Sequence, residues 1–297
     1  MDMKEKKVGE LKVKELRINN IIIGIAADVG PRILYAADEK KPDFNFFGYL
    51  PDAGEETPNG YWRMYGGHRL WVSPEEMPRT YSMDDKPVKV EKTKDGVVVI
   101  GNPEKENSVQ KEIKIRPRGK KGVEVIHKIK NIGKSPITFA AWALSVMRRE
   151  GFAIIPFNAG QRGFLPDRRI VVWPYTNLTD KRLIMQDEYI FLQQSPAAKQ
   201  PIKIGTIAHP SWLAYHINDY VLLKTFSREE GEYPDFGCNV EIYTNADFLE
   251  LETLSTLSTI KPSEFIQHTE IWNILNVAGL KPDSKSVESK LVKLIES

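Results

Sequence analysis

A mainly β fold, built as one large antiparallel sandwich, is what this 297-residue sequence predicts. Short runs of alternating or continuous apolar residues recur along most of the chain. Turn-forming clusters separate them, with Lys94-Asp95-Gly96 a hairpin signal and Pro117-Arg118-Gly119-Lys120-Lys121-Gly122 a second turn. Helical periodicity is scarce. Many strands at short spacing in nearly 300 residues define a sandwich.

In chain order, the first predicted strands are Leu11–Arg17, Ile21–Ala26 and Arg32–Tyr35, short apolar or alternating runs. Residues Asp43–Tyr81 are rich in Gly, Pro and aromatics without a clean period, which predicts long loops, a common home for functional residues. Val88–Lys92 and Val97–Ile100 flank the Asp-Gly hairpin signal. Val109–Arg116 and Val123–Lys130 flank the second turn, and Val123, Val125 and Ile129 share one face with His127 among them. Asn131–Pro136 is turn-like, and Ile137–Met147 is a longer apolar run. Further strands are expected at Ile170–Trp173, Tyr189–Gln193, Lys203–Ile207, Trp212–His216 and Tyr220–Phe226, then at Val240–Tyr243, Phe248–Thr253 and Phe265–Trp272. The one clear helix is Ser286–Ile295, with Val287, Leu291, Leu294 and Ile295 on one face and Pro282-Asp283-Ser284 as its start signal. No internal repeat or low-complexity linker divides the chain, so one domain over residues 1–297 is expected.

Composition narrows the function classes. A formal net charge of +2, with acidic and basic residues interspersed, leaves no footprint for nucleic acid or an anionic membrane. No run of 18 apolar residues exists, and the charged N-terminus, Met1 to Lys7, is not a secretory signal. A soluble cytoplasmic protein is the expectation, and abundant Lys, Glu and Ile with many prolines in loops fits a thermophile. The single cysteine, Cys238, excludes an internal disulfide and a cysteine-cluster metal site. His127, His209, His216 and His268 show no HxH or HxxxH spacing, so no zinc site is expected.

Leu249-Glu250-Leu251-Glu252-Thr253-Leu254 carries the sharpest chemical signal. In a strand, Glu250 and Glu252 share a face, about 7 Å apart at ~3.3 Å per residue. Either that face is solvated or it lines a polar cleft. His68 and Arg69 follow two glycines, which permit close backbone approach to a ligand, and arginine offers a fork for hydroxyls or a carboxylate. The bland counterparts are a structural ion pair for Arg69 and a loop position without titrating function for His68. Glu75 and Glu76 fit a solvated charged loop or the rim of a cleft. Tyr61, Trp62, Tyr65, Trp71 and Tyr81 are dense in one region and fit either core packing or stacking on a ligand, with Trp62 and Trp71 the expected contacts. Asp235, in Tyr233-Pro234-Asp235, fits turn chemistry or acceptance of hydrogen bonds from hydroxyls.

Together these segments resemble the galactose mutarotase (aldose 1-epimerase) superfamily, in a prokaryotic branch. Leu251-Glu252-Thr253 followed by Pro262-Ser263-Glu264 is similar to the family's catalytic-base strand and its Pro-Gly-Glu loop, with Ser263 replacing glycine. Glu241-Ile242-Tyr243-Thr244-Asn245 resembles the preceding strand, Asn131-Ile132-Gly133-Lys134-Ser135-Pro136 a central turn, and Tyr65-Gly66-Gly67-His68-Arg69 the loop ending in a sugar-binding arginine. The resemblance implies a super-sandwich with a sugar on a concave sheet face, Glu252 as general base and Arg69 and Asp235 as sugar contacts; Glu250 and Trp142 are also expected among the substrate-binding residues. It implies no cofactor or metal and a small-molecule sugar as partner. One departure stands out: Trp142 falls where the family carries its acid histidine, and an indole N–H does not titrate. His68 is then the remaining candidate acid. The expected function is carbohydrate binding with aldose 1-epimerase-like chemistry. The alternatives are a non-catalytic sugar binder or sensor and, ranked lower, a lyase or hydrolase using the Glu250/Glu252 pair.

Overall fold

The computed structural model describes residues 3–158 and 163–296. Among these residues, eleven strands form one antiparallel sheet. Its order is Lys4–Val8, Leu11–Ile18, Ile21–Ala26, Arg32–Asp38, His68–Ser73, Ile137–Met147, Leu249–Leu254, Val240–Thr244, Ile202–Thr206 and Val171–Val172, with Ser258–Ile260 also paired to Ile137–Met147. A second sheet has ten strands in the order Leu183–Met185, Tyr189–Gln193, Phe152–Pro156, Trp212–Ile217, Tyr220–Phe226, Phe265–Asn276, Gly122–Asn131, Val109–Arg118, Val97–Ile100 and Lys89–Lys92. A separate hairpin pairs Tyr49–Thr57 with Gly60–Gly66. The fold is mainly β, as the short alternating runs predict.

Alternation sorts the side chains between the layers. Ile23, Ile33, Leu70, Val72, Ala141, Leu249 and Leu251 of the first sheet share the central core with Ile113, Val123, Val125, Ile129, Leu222, Trp272 and Ile274 of the second. The chain's last helical segment runs through Ser284–Val287, Glu288–Val292 and Lys293–Ile295. It starts where Asp283 accepts a hydrogen bond from the Ser286 N–H at 2.8 Å. Val287 and Leu291 pack on the outer face of the second sheet against Phe191, Trp212 and Leu223, while Leu294, expected on the same face, is exposed. No helix among the described residues is long and apolar enough to cross a membrane.

The segment expected to be long loops, Asp43–Tyr81, instead holds three strands. Its hairpin hid its period because Pro51 and Gly54 lie where the register shifts between Leu50 and Gly54, and most of its residues are half-exposed or exposed. The third strand, His68–Ser73, is buried on both faces, so polar His68 and Arg69 break what would otherwise be an apolar run.

The Asn131 turn is a fixed knot. Its side-chain amide donates to the carbonyls of Ser135 and Ile260, both at 2.8 Å, and its Oδ1 accepts from Gly133 N–H at 2.8 Å. Ser263 N–H donates to the Asn131 carbonyl at 2.9 Å, with Ser263 at φ 71°. A left-handed conformation disfavours every residue with a Cβ, so Ser263→Gly is expected to raise stability by about 0.5–1 kcal/mol. Urea unfolding of the two proteins checks this, and a less stable variant contradicts it.

Candidate active site

Five neighbouring strands of the first sheet present one outer face. Pairing aligns Arg69 with Leu144, Leu144 with Glu252, and Glu252 with Glu241 in one row. Trp71, Trp142 and Leu254 form the next row, and Val146, Glu250, Tyr243 and Lys203 the row on the other side. Strand alternation thus puts both glutamates of the Leu-Glu-Leu-Glu motif on this face, where they are buried rather than solvated. The face floors a cleft of about 500 Å³, walled by Trp62 and Met64 of the hairpin, by Glu75 and Tyr81, and by Tyr175 and Tyr243.

Two cations answer the two glutamates. Arg69 Nη1 lies 2.8 Å from Glu250 Oε1, and the guanidinium stacks on Trp71 with its carbon 4.2 Å from the ring centre. Lys203 Nζ lies 3.1 Å from Glu252 Oε2 and 2.8 Å from Glu241 Oε2, between the rings of Trp142 and Trp173. Trp142 Nε1–H donates to Glu252 Oε2 at 2.9 Å. The second oxygen, Glu252 Oε1, has no hydrogen-bond partner among the described residues, nor have Trp62 Nε1 and Arg69 Nε. The Arg69–Glu250 contact is close but not aligned as a hydrogen bond. Buried polar groups left in this condition are uncommon and mark a site that a polar ligand completes.

Burial pushes the Glu252 carboxyl up to about 7, with Glu250 adding to the rise and the Lys203 ammonium opposing it. Burial likewise raises Glu241 well above the usual carboxyl range. Burial opposes the charge on Lys203, but Glu241 and Glu252 outweigh it and hold the ammonium well above the usual lysine range.

His68 does not share this cleft. Strand parity turns it to the opposite face of the sheet, where it is fully buried in the core between the layers. Its Nδ1 lies 2.7 Å from Ser145 Oγ and its Nε2 lies 2.6 Å from His127 Nε2. The assignment of His68 as the displaced acid is therefore corrected: a group behind the sheet cannot exchange a proton with a ligand in the cleft in front of it. The Gly66-Gly67 pair also has another purpose. A Cβ on Gly66 would sit 2.1 Å from the Gly48 carbonyl oxygen, and one on Gly67 would sit 2.3 Å from that of Ile33. These glycines admit close approach of the protein's own backbone, not of a ligand.

Behind the sheet, His68 belongs to a buried polar network. His127 and His268 are directly opposed across two strands, and His127 Nδ1 lies 3.0 Å from the His268 carbonyl oxygen. Thr253 Oγ1 lies 2.7 Å from His268 Nε2 and donates to Glu270 at 2.6 Å, and Trp272 Nε1–H donates to Glu270 at 2.6 Å. His68, His127 and Glu270 bring ligand-type atoms within 4.8 Å of one another, although their sequence spacing announces no such group. The cation seated on Glu270 is the ammonium of Lys224, 3.1 Å away and also 2.7 Å from Ser145 Oγ. Burial would raise Glu270, but Lys224 and the histidines outweigh it and hold the carboxylate well below its usual range.

Burial lowers His127 and His268 to about 4 each and His68 well below its ordinary value. Unfolded histidines titrate near ~6.5. Between those values only the unfolded chain takes up the protons, so stability falls as pH drops from about 6.5 towards 4. The expected slope is ~1.4 kcal/mol per pH unit for each histidine, partly offset by Glu252 and Glu241, whose raised carboxyls take up protons in the folded chain over the same range. The depressed Glu270 adds to the same loss below the unfolded carboxylate pKa. Urea midpoints at pH 7 and pH 5 check this, and equal midpoints contradict it.

Of the residues predicted for the site, Glu252, Glu250, Arg69, Trp62, Trp71 and Trp142 line one cleft. Asp235 lies in a different depression, beside the Arg228–Gly237 segment. Lys203, Glu241, Tyr175 and Tyr243 were missed. The available signal for Lys203 was a lysine between two isoleucines in a run otherwise fit for burial, Ile202-Lys203-Ile204.

No protein-family model and no curated protein matches the sequence. Among solved structures, the chain is similar to a galactose mutarotase-like protein from Lactobacillus casei ATCC 334, at 9% identity over 89% of this chain and 100% of that one, with a TM-score of 0.56. A putative mutarotase from Salmonella typhimurium matches at 8% identity, 92% and 94% coverage and a TM-score of 0.57. A TPR-domain containing protein from Parabacteroides distasonis ATCC 8503 matches 92% of this chain over 49% of its own length, at 12% identity and a TM-score of 0.60. The fold is galactose mutarotase-like, and its structural neighbours include mutarotase-like proteins.

Proposed function

We propose that the cleft binds a free sugar and that the protein catalyses aldose 1-epimerase-like interconversion of its anomers. The observation that carries this reading is Glu252: a carboxyl raised to about 7, buried at the floor of a cleft with aromatic walls, with Oε1 left without a hydrogen-bond partner among the described residues. Glu252 Oε1 takes the proton of the anomeric hydroxyl. The C1–O5 bond breaks, the anomeric carbon becomes an aldehyde, and O5 takes a proton from the Lys203 ammonium. Rotation about C1–C2 and the reverse transfers return the other anomer, with Glu252 and Lys203 restored. Lys203 thus takes the place first assigned to His68. Arg69 donates to a sugar hydroxyl, and Trp62 and Trp71 pack on the C–H face of the ring.

The charge of the cleft favours an uncharged sugar over a phosphorylated one. Glu55, Glu75, Asp247, Glu250 and Glu252 line it against Arg69 and Lys203 alone. Hydrolysis is disfavoured, because the two carboxyls of that chemistry must flank the scissile bond, whereas Glu250 and Glu252 stand side by side on one strand.

A second reading, a non-catalytic sugar binder, draws support from Trp142, whose indole stands beside Glu252 where a titrating histidine is expected. Polarimetry or NMR on freshly dissolved α-galactose and α-glucose, with thermal melts in the same sugars, separates the two. Faster anomerisation supports the enzyme. A raised Tm without it supports the binder. Neither effect with any aldose overturns both.

A further inference from the structure

A second depression lies beside the cleft. This groove of about 900 Å³ begins at Pro74, adjacent to Glu75 of the cleft, and is walled by the Arg228–Gly237 segment with Arg169, Ile207 and Leu257. Pro74 lines one depression and Glu75, the next residue, lines the other, so the two adjoin there.

The wall of the groove is built against conformational preference. Asp235 and Phe236 are successive non-glycine residues in the left-handed region, at φ 51° and 58°, followed by Gly237 at φ 95°. Phe236 is 90% exposed, so this backbone holds an aromatic ring out in water instead of burying it. The turn is fixed from both sides. Cys238 N–H donates to the Pro234 carbonyl at 2.9 Å, and Arg169 Nη1–H donates to the Phe236 carbonyl at 3.1 Å. Strain of this kind persists where the surroundings over-determine it, and it gathers at ligand sites. An exposed ring beside a carboxylate and two guanidinium groups, Arg169 and Arg228, offers a stacking face together with hydrogen-bond acceptors and donors, the combination that suits a sugar ring.

We propose that this groove binds the second residue of a reducing disaccharide or longer glycan whose reducing-end residue occupies the Glu252 cleft. Phe236 is the stacking platform, and Asp235 accepts from the hydroxyls of the second sugar. The assignment rests on the sugar reading of the cleft. The test is calorimetric titration of the full chain with glucose, cellobiose, maltose and lactose, and with galactose and β-1,4-galactobiose. At least one disaccharide is expected to bind about tenfold more tightly than its reducing-end monosaccharide. Phe236→Ala is expected to bring that ratio close to one, and Phe236→Trp to keep it. A monosaccharide that binds as tightly as every disaccharide overturns the groove assignment while leaving the cleft reading intact. So does a Phe236→Ala variant that weakens both sugars in proportion. If no sugar in the panel binds, both readings fall.

Discussion

Glu252→Gln is expected to lower the catalysed anomerisation rate by ~10²–10⁴-fold, the usual worth of a positioned general base. Glutamine keeps the shape and the acceptor that Trp142 Nε1–H and Lys203 meet, and it leaves Lys203 paired with Glu241. Loss of rate then reports the missing base rather than a collapsed cleft. The pH profile carries a second signature. With the carboxyl raised to about 7, the active ionised form grows as pH rises, so kcat/KM should climb through about 7 and level above it. NMR of freshly dissolved α-aldose from pH 5 to 9 measures both effects. A variant as fast as the unmodified protein would remove Glu252 from the chemistry.

Lys224→Met is expected to cost ~3–5 kcal/mol of folding stability, because it leaves the Glu270 carboxylate buried without its counter-charge. Burial lowers the Lys224 pKa and the Glu270 charge counters that fall, while Lys224 holds Glu270 below its usual range. The change also removes the donor to Ser145 Oγ, which in turn contacts His68. The double variant Lys224→Met/Glu270→Gln should recover part of the loss, since a neutral amide no longer needs a cation and can still accept from Trp272. Urea unfolding of both proteins is the measurement. A single-variant loss below about 1 kcal/mol would mean that Glu270 does not depend on Lys224 for its counter-charge.

The legibility of the molecule followed burial. Strands with one polar and one apolar face, such as Val109–Arg118 and Phe265–Asn276, announce themselves by alternation. Asp43–Tyr81 did not, because its hairpin has no consistently buried face and its third strand has two. The same ambiguity hid the orientation of His68. In a strand buried on both sides, a histidine and an arginine side by side give no sign of which one faces the cleft. Asp235 was noticed, but the adjoining left-handed Phe236 was not, since a strained backbone leaves little trace in residue type when no glycine occupies it.

The sequence by itself determined the mainly β class, the Asn131 turn, the C-terminal helix and the fact that Glu250 and Glu252 share a face. Each of these follows from local periodicity or turn chemistry, which neighbouring residues decide among themselves. Only the tertiary structure decided which cation meets which glutamate, because Lys203, Arg69 and Trp142 reach Glu250 and Glu252 from strands far apart in the chain. It also sent His68 to join His127, Glu270 and Lys224 behind the sheet. Sheet order and register, which bring distant strands side by side, set those encounters, and no local pattern encodes them.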